Sequence, residues 1–183
     1  MEKAPSTAYE FAAGAQAFGD GAHPTTRGVL EALLLIDPEA FAPRIACDVG
    51  AGSGIISFAI IERFGSSVMA VDVAASAVAT LKENAARNGV ESLLMVAQAD
   101  GFAHPDIVAR APHDLIIINI LAEPVRRLGV EAERLLANGG VVIVSGILLA
   151  QEGLIVEAYQ SLGLELTARL VIQEWVTLVW QKA

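Results

Sequence analysis

Five short apolar runs alternating with helix-length segments constrain the fold of this chain more than any other feature. The runs are Arg44 to Val49, Val68 to Val73, Leu93 to Gln98, Leu115 to Ile120 and Val141 to Ser145. Apolar residues recur at helical spacing in Ile55 to Arg63, Ser76 to Arg87, Pro124 to Leu136 and Leu148 to Leu162. A strand that is apolar at nearly every position is buried on both faces, which is the signature of a parallel sheet covered by helices. The pattern predicts an α/β fold, a doubly wound, mostly parallel seven-stranded sheet. Before the first run, His23 to Ile36 reads as a helix through Val29, Leu30, Leu33 and Leu34, and residues 1–21 read as an irregular lead-in and lid. After the last helix, Leu164 to Ile172 and Trp175 to Trp180 are separated only by Gln173-Glu174. That gap leaves no room for a crossover, so the two runs are expected to form an antiparallel hairpin at the sheet edge. A chain of 183 residues is expected to form one domain, 1–183.

The segment richest in chemistry is Asp48-Val49-Gly50-Ala51-Gly52-Ser53-Gly54, at the end of the first strand and the start of a helix. Gly50, Gly52 and Gly54 permit a tight turn and let a ligand approach the backbone where a Cβ would collide. Nicotinamide and flavin enzymes place a related turn at the same point, but there the anionic pyrophosphate would be disfavoured by a carboxylate as near as Asp48. Asp48 instead suits a cofactor carrying an ammonium and a sulfonium, and S-adenosyl-L-methionine has both. The second strand ends in Val71-Asp72-Val73, so Asp72 stands beside the glycine loop, placed to accept from both ribose hydroxyls. Asp100, after the third strand, is expected to accept from the adenine amino group. Each acid also has an ordinary structural reading: Asp48 capping the turn, Asp72 capping the helix that begins near Ala74, Asp100 as a loop acid. Three acids at the ends of three consecutive strands, where open α/β sheets bind ligands, favour the cofactor reading.

A formal net charge of -9 argues against nucleic acid as a substrate, since each contacted phosphate wants a Lys or Arg. The single cysteine, Cys47, forms no internal disulfide, and Met1 to Glu10 lacks the apolar core of a signal peptide. No apolar run approaches the length of a membrane span. The expectation is a cytoplasmic protein without membrane or metal.

The run Ala17-Phe18-Gly19-Asp20-Gly21-Ala22-His23-Pro24-Thr25-Thr26, the glycine loop, Asn119-Ile120-Leu121-Ala122, Ser145-Gly146-Ile147-Leu148 and Glu174-Trp175-Val176 resemble the PrmA family. Its members are methyltransferases that modify protein eleven of the large ribosomal subunit. The resemblance runs from about Phe18 to Val179. It implies that Thr26, Gly50, Asp72 and Asn119 contact S-adenosyl-L-methionine, with Phe18, Gly19 and the residues up to Thr25 closing over the methionine end. Independently, an amide at a strand end such as Asn119 suits accepting from an incoming amine and aiming its lone pair at the methyl group; a turn-forming Asn is its ordinary alternative. His23 reads either as a general base or as a residue serving only the helix start before Pro24, the second being favoured.

Two departures from the family stand out. Asp20 and Ala22 replace residues that are usually Thr, so the lid gains a carboxylate near the acceptor. Family members also carry a separate N-terminal domain that recognises the ribosomal protein, and the stretch before Phe18 is too short to form one. The expected function is protein N-methylation, of a lysine or an N-terminal amine, with Asn119 and Asp20 as the catalytic candidates. Asp20 would aid binding of a cationic acceptor more than its deprotonation, because a carboxylate raises the pKa of a neighbouring amine. Small-molecule methylation, or a non-catalytic cofactor-binding module needing a partner chain, are the alternatives.

Overall fold

The computed structural model describes residues 9, 10 and 21–183. Seven strands, β1 (Ile45–Val49), β2 (Ser67–Asp72), β3 (Leu94–Gln98), β4 (His113–Asn119), β5 (Leu136–Leu148), β6 (Leu164–Ile172) and β7 (Trp175–Lys182), form one sheet. Their order is β3-β2-β1-β4-β5-β7-β6. The first five strands are mutually parallel, and β7 pairs antiparallel with both β5 and β6. The expected hairpin is therefore present. It folds back so that β7 lies inside the sheet and β6 takes the edge.

Alternation along each buried strand divides the core between two faces. Ala46, Val68, Ala70, Leu115, Ile117 and Ile143 pack with Val29, Leu33, Phe58, Ile60 and Leu81. These come from α1 (Pro24–Leu35), α2 (Ile55–Phe64) and α3 (Ala75–Asn88). On the opposite face Cys47, Met69, Ile116, Ile118, Val142 and Val144 meet residues including Ile107, Leu128, Ala132 and Tyr159. Those belong to α4 (Pro105–Ala109), α5 (Ala122–Leu135) and α6 (Glu152–Gln160). Ile116, Ile117 and Ile118 are fully buried, and burying each such side chain is worth about 1.5–3 kcal/mol. Cys47 is sealed among them, and burial pushes its thiol up, so it is an inert packing residue.

Some boundaries differ from those expected. α5 begins at Ala122 rather than Pro124, because proline is tolerated in a first turn whose N–H groups have no intrahelical partner. α4 was not anticipated. It is only five residues long, started by Pro105 and capped by the His104 side chain, which accepts from the Asp106 amide at 3.3 Å. β5 begins at Leu136, five residues earlier than expected, and its pairing with β4 shifts register between His113 and Leu115. The stretch from Leu148 opens with a 3-10 turn, Leu149–Gln151, before α6. Among the described residues no helix is long and apolar enough to cross a membrane.

The strand order positions the site. From β1 the chain builds outward through β2 to β3, then crosses back to lay β4 on the other flank of β1. Loops leaving the carboxyl ends of β1 and β4 diverge to opposite faces and open a crevice between them.

Candidate active site

A cavity of about 510 Å3 occupies that crevice, within the range of about 300–1,000 Å3 usual for small-molecule sites. Gly50, Gly52, Asp72, Asn119 and Thr26 all line it. The sheet brings these five residues together from α1 and from the ends of three neighbouring strands.

Gly50 forms a tight part of the wall, second to Gly146, where a Cβ would stand 1.9 Å from the Ile120 carbonyl oxygen. Its φ is +79°, and a Cβ there would stand 2.4 Å from Ile120 Cγ2 and 3.1 Å from the Asn119 carbonyl oxygen. The neighbour that forbids a side chain is thus the β4–α5 loop, where the sequence suggested only the ligand. The Gly50 and Ala51 amides both donate to the Val71 carbonyl, at 2.9 and 3.0 Å, which ties the loop to the end of β2. Asp72 completes the tie. One carboxylate oxygen accepts from the Gly52 amide at 3.0 Å and the other from the Ala74 amide at 2.9 Å. Asp72 is not the cap of α3, whose N-cap is Ala74 with no side-chain cap bond; its carboxylate instead holds the turn that leads into the helix while lining the cavity. Each of its oxygens keeps a lone pair for a further donor.

Asp48 takes a different place from the one expected. On β1 it shares the parity of Ala46 and turns toward α2, where it is fully buried and does not line the cavity. One oxygen accepts from the Ser57 hydroxyl at 2.6 Å, and the other, Oδ1, has no hydrogen-bond partner among the described residues. Burial pushes its carboxyl up to about 6; the Ser57 hydrogen bond opposes the rise and the nearby Asp72 charge adds to it. Gly54 also lies outside the cavity wall. It is the left-handed N-cap of α2, and a Cβ there would meet the Phe58 ring at 2.8 Å. Asp100 is exposed and off the wall: beyond β3 the Ala99 amide bonds the Asp72 carbonyl at 3.0 Å, and the chain carries Asp100 toward solvent. Phe18, Gly19 and Asp20 lie outside the described residues.

His23, within the segment expected to close over the methionine end, lines the cavity, and so does Trp175, to which no role in binding is assigned from the sequence. His23 is the N-cap of α1: its Nδ1 lies 2.8 Å from the Thr25 hydroxyl and accepts from the Thr25 amide at 3.4 Å. Its ring stands edge-on to Trp175, with centroids 5.5 Å apart. Ser145 ties this corner to the sheet, with its hydroxyl 2.8 Å from that of Thr177 and donating to the Thr25 carbonyl at 3.1 Å. Ile120, Leu121 and Gly146 add an apolar side, and Leu121 is 70% exposed at the rim.

Residues 6–183 match the sequence profile of the family described as Ribosomal protein L11 methyltransferase (PrmA). The chain belongs to this family. It is 39% identical over 168 residues to the ribosomal protein L11 methyltransferase of Rhodopseudomonas palustris (strain BisB5), covering 92% of this chain and 57% of that protein. It is 40% identical over 162 residues to that of Brucella abortus (strain S19), covering 88% and 56%. The chain thus spans a little over half the length of these relatives. The crystal structure of a ribosomal protein L11 methylase from Lactobacillus delbrueckii subsp. bulgaricus superposes with a TM-score of 0.75 at 29% identity, covering 86% of this chain and 80% of that one. An RNA methyltransferase from Salinibacter ruber, solved with S-adenosyl-L-homocysteine, shares the fold at a TM-score of 0.61 and 18% identity, covering 84% and 86%. As a PrmA-family chain, it carries its resemblance motifs at the cavity itself: Thr25-Thr26, Asn119 to Leu121, Gly146 and Trp175 all stand on the wall. Trp175 was within reach of sequence reasoning through its motif. It lies more than a hundred residues from the glycine loop in sequence, and only the β7 pairing brings it there.

Proposed function

We propose that this chain binds S-adenosyl-L-methionine in the cavity at the ends of β1, β2 and β4 and transfers its methyl group to an amine of a protein acceptor, a ribosomal protein as in the names of its relatives. The observation that carries the reading is the convergence of Gly50, Asp72 and Asn119 on one crevice. The residues fit the cofactor chemically. The Asp72 carboxylate has free lone pairs for two ribose hydroxyls, and its backbone partners already hold it in place. Beneath the loop, the buried Asp48 carboxylate makes no contact with the cavity and acts on a ligand only through its field, which favours positive charge. Ala74, Ala77 and Ile56 supply apolar wall for a flat ring.

When bound, the cofactor supplies an electrophilic methyl carbon on a sulfonium. The task of the protein is then to hold a nucleophile in line and exclude water. The Asn119 side-chain carbonyl accepts an N–H of the acceptor amine and fixes the direction of its lone pair. Ile120, Leu121 and Trp175 lower the local dielectric, which favours the neutral amine over its ammonium form. That help matters, because a lysine of ordinary pKa about 10.4 is neutral only about once in a thousand at pH 7. Asp20 is proposed to draw a cationic acceptor toward the site, as its position beside the family motif implies.

Calorimetric titration with S-adenosyl-L-homocysteine, for the wild type and Asp72→Ala, tests the first half of the reading. Saturable binding that the variant loses supports it; a folded wild-type protein that does not bind overturns it. Transfer of labelled methyl groups to a ribosomal protein, against small amines in parallel, tests the second. Label found only on the small amines would replace a protein acceptor by a small one.

A further inference from the structure

Two asparagines in the C-terminal half of α3 make hydrogen bonds that no helix requires. Asn84 is fully buried, and its Nδ2 donates to the Ser53 carbonyl in the glycine loop at 2.8 Å. One turn later, Asn88 uses its whole amide. Its Nδ2 donates to the Asn84 carbonyl at 2.7 Å and to the Glu10 carbonyl at 2.9 Å, while its Oδ1 accepts from the Glu10 amide at 3.0 Å. The side chain thus engages both backbone groups of Glu10, as a neighbouring strand would. Alongside, the Tyr9 ring packs on Phe58 with centroids 5.7 Å apart, and the Tyr9 hydroxyl bonds Glu62. The Phe58 ring in turn is the surface that Gly54 lies against. Two routes therefore lead from Tyr9-Glu10 to the glycine loop, an amide route ending at Ser53 and a ring route ending at Gly54.

Asparagine is a poorer helix former than alanine, and a buried amide is costly unless satisfied. Both costs are met here by contacts directed at the loop and at a segment more than seventy residues away in sequence. We infer that Asn84 and Asn88 are positioning residues for cofactor binding, which transmit the hold of Tyr9-Glu10 to the glycine loop and keep its backbone in place from outside the cavity. Ser53 and Gly54 directly follow Gly52, whose amide bonds Asp72. Slack at Ser53 therefore reaches the carboxylate proposed to bind ribose. The inference rests on the proposed cofactor reading for its affinity arm, while backbone exchange tests it without any ligand.

The experiment compares the wild-type chain with Asn84→Asp, Asn88→Ala, Tyr9→Ala, the double variant Tyr9→Ala/Asn88→Ala, and Lys82→Ala, exposed on the same helix, as a surface control. Hydrogen exchange at the Gly52 and Gly54 amides is read in the ligand-free proteins, and affinity for S-adenosyl-L-homocysteine by calorimetry below the thermal midpoint of every variant. Asn84→Asp, which at nearly constant volume replaces the donor with a carboxylate oxygen that repels the Ser53 carbonyl, is expected to speed exchange at both amides and weaken affinity about tenfold. Asn88→Ala and Tyr9→Ala are each expected to weaken it about threefold, and the double variant by less than the product, because both release the same segment. Lys82→Ala should change neither. If loop exchange in the variants matches the control while their midpoints fall, these side chains only support α3 and the inference is overturned; full additivity in the double variant would break the single-brace argument. A wild type that does not bind S-adenosyl-L-homocysteine would sink the cofactor reading and leave the exchange result to decide the brace. Should Asn84→Asp fail to fold, the half-buried Asn88→Ala decides alone.

Discussion

Adding one methyl group at Gly50 would force the glycine loop and the β4–α5 loop apart. Gly50→Ala meets both a positive φ and the Ile120 side chain at 2.4 Å. It is expected to cost about 1–3 kcal/mol of stability and to abolish S-adenosyl-L-homocysteine binding in the protein that remains folded, as checked by urea denaturation and calorimetry on the same sample. Asp48 gives a prediction in pH. Its folded-state value of about 6 lies above the ordinary value near 3.8, so between these two pH values the folded form holds a proton that the unfolded form has lost. Stability contributed by this group is intact below pH about 4 and falls as pH rises toward 6, by on the order of 2–3 kcal/mol. Asp48→Asn keeps an acceptor for Ser57 and removes the titration. It should raise the urea midpoint more at pH 7.5 than at pH 4.5; an equal rise at both would mean that Asp48 does not titrate in that window. These residues also mark what sequence could tell. Spacing and strand ends were enough to bring Gly50 and Asp72 to one wall, and the family resemblance added Asn119. They were not enough to say which way a side chain leaves its strand: Asp48 faces α2, and Asp100 follows a turn whose course depends on one backbone bond to Asp72.

At the level of elements, the cavity depends on how closely α1 approaches β7. A Cβ at Gly28 would lie 2.2 Å from the Thr177 hydroxyl, and that hydroxyl is bonded to Ser145, which holds the Thr25 carbonyl. Gly28→Ala is therefore expected to push α1 off the sheet, cost about 1–3 kcal/mol, and shift Thr26 and His23 enough to weaken S-adenosyl-L-homocysteine binding. Unchanged affinity in a destabilised variant would show that the helix start does not set the cavity. The parallel strands and long helices were legible because each has a core face with its own period: Leu115 to Ile118 is apolar throughout, and α5 carries Val125, Leu128, Ala132 and Leu135 at helical spacing. α4 was not, since five residues do not complete two turns and no period exists to read. The early start of β5 was hidden by Asn138-Gly139-Gly140, residues with the composition of a turn that here lie within a strand before its regular register begins.

Across the whole molecule, both core clusters are built on the same seven strands, so neither can melt without exposing the other. Denaturant unfolding followed by circular dichroism and by the fluorescence of Trp175 and Trp180 is expected to give coincident transitions. Saturating S-adenosyl-L-homocysteine at a hundred times its dissociation constant should add about 2.7 kcal/mol, a rise in melting temperature on the order of 5–10 °C for a chain of this size. Two separated transitions would show that the halves of the sheet are independent. The sheet order has a further consequence for a chain that emerges gradually from the ribosome. β7 follows β6 in the chain yet fills the place between β5 and β6, and it brings Trp180 into the core. Until residues 175–182 emerge, β5 presents an open hydrogen-bonding edge and β6 has no neighbour in the sheet. Synthesis therefore passes through an interval in which a five-stranded sheet offers that edge to any passing strand, and it is the return of β7 that closes the gap.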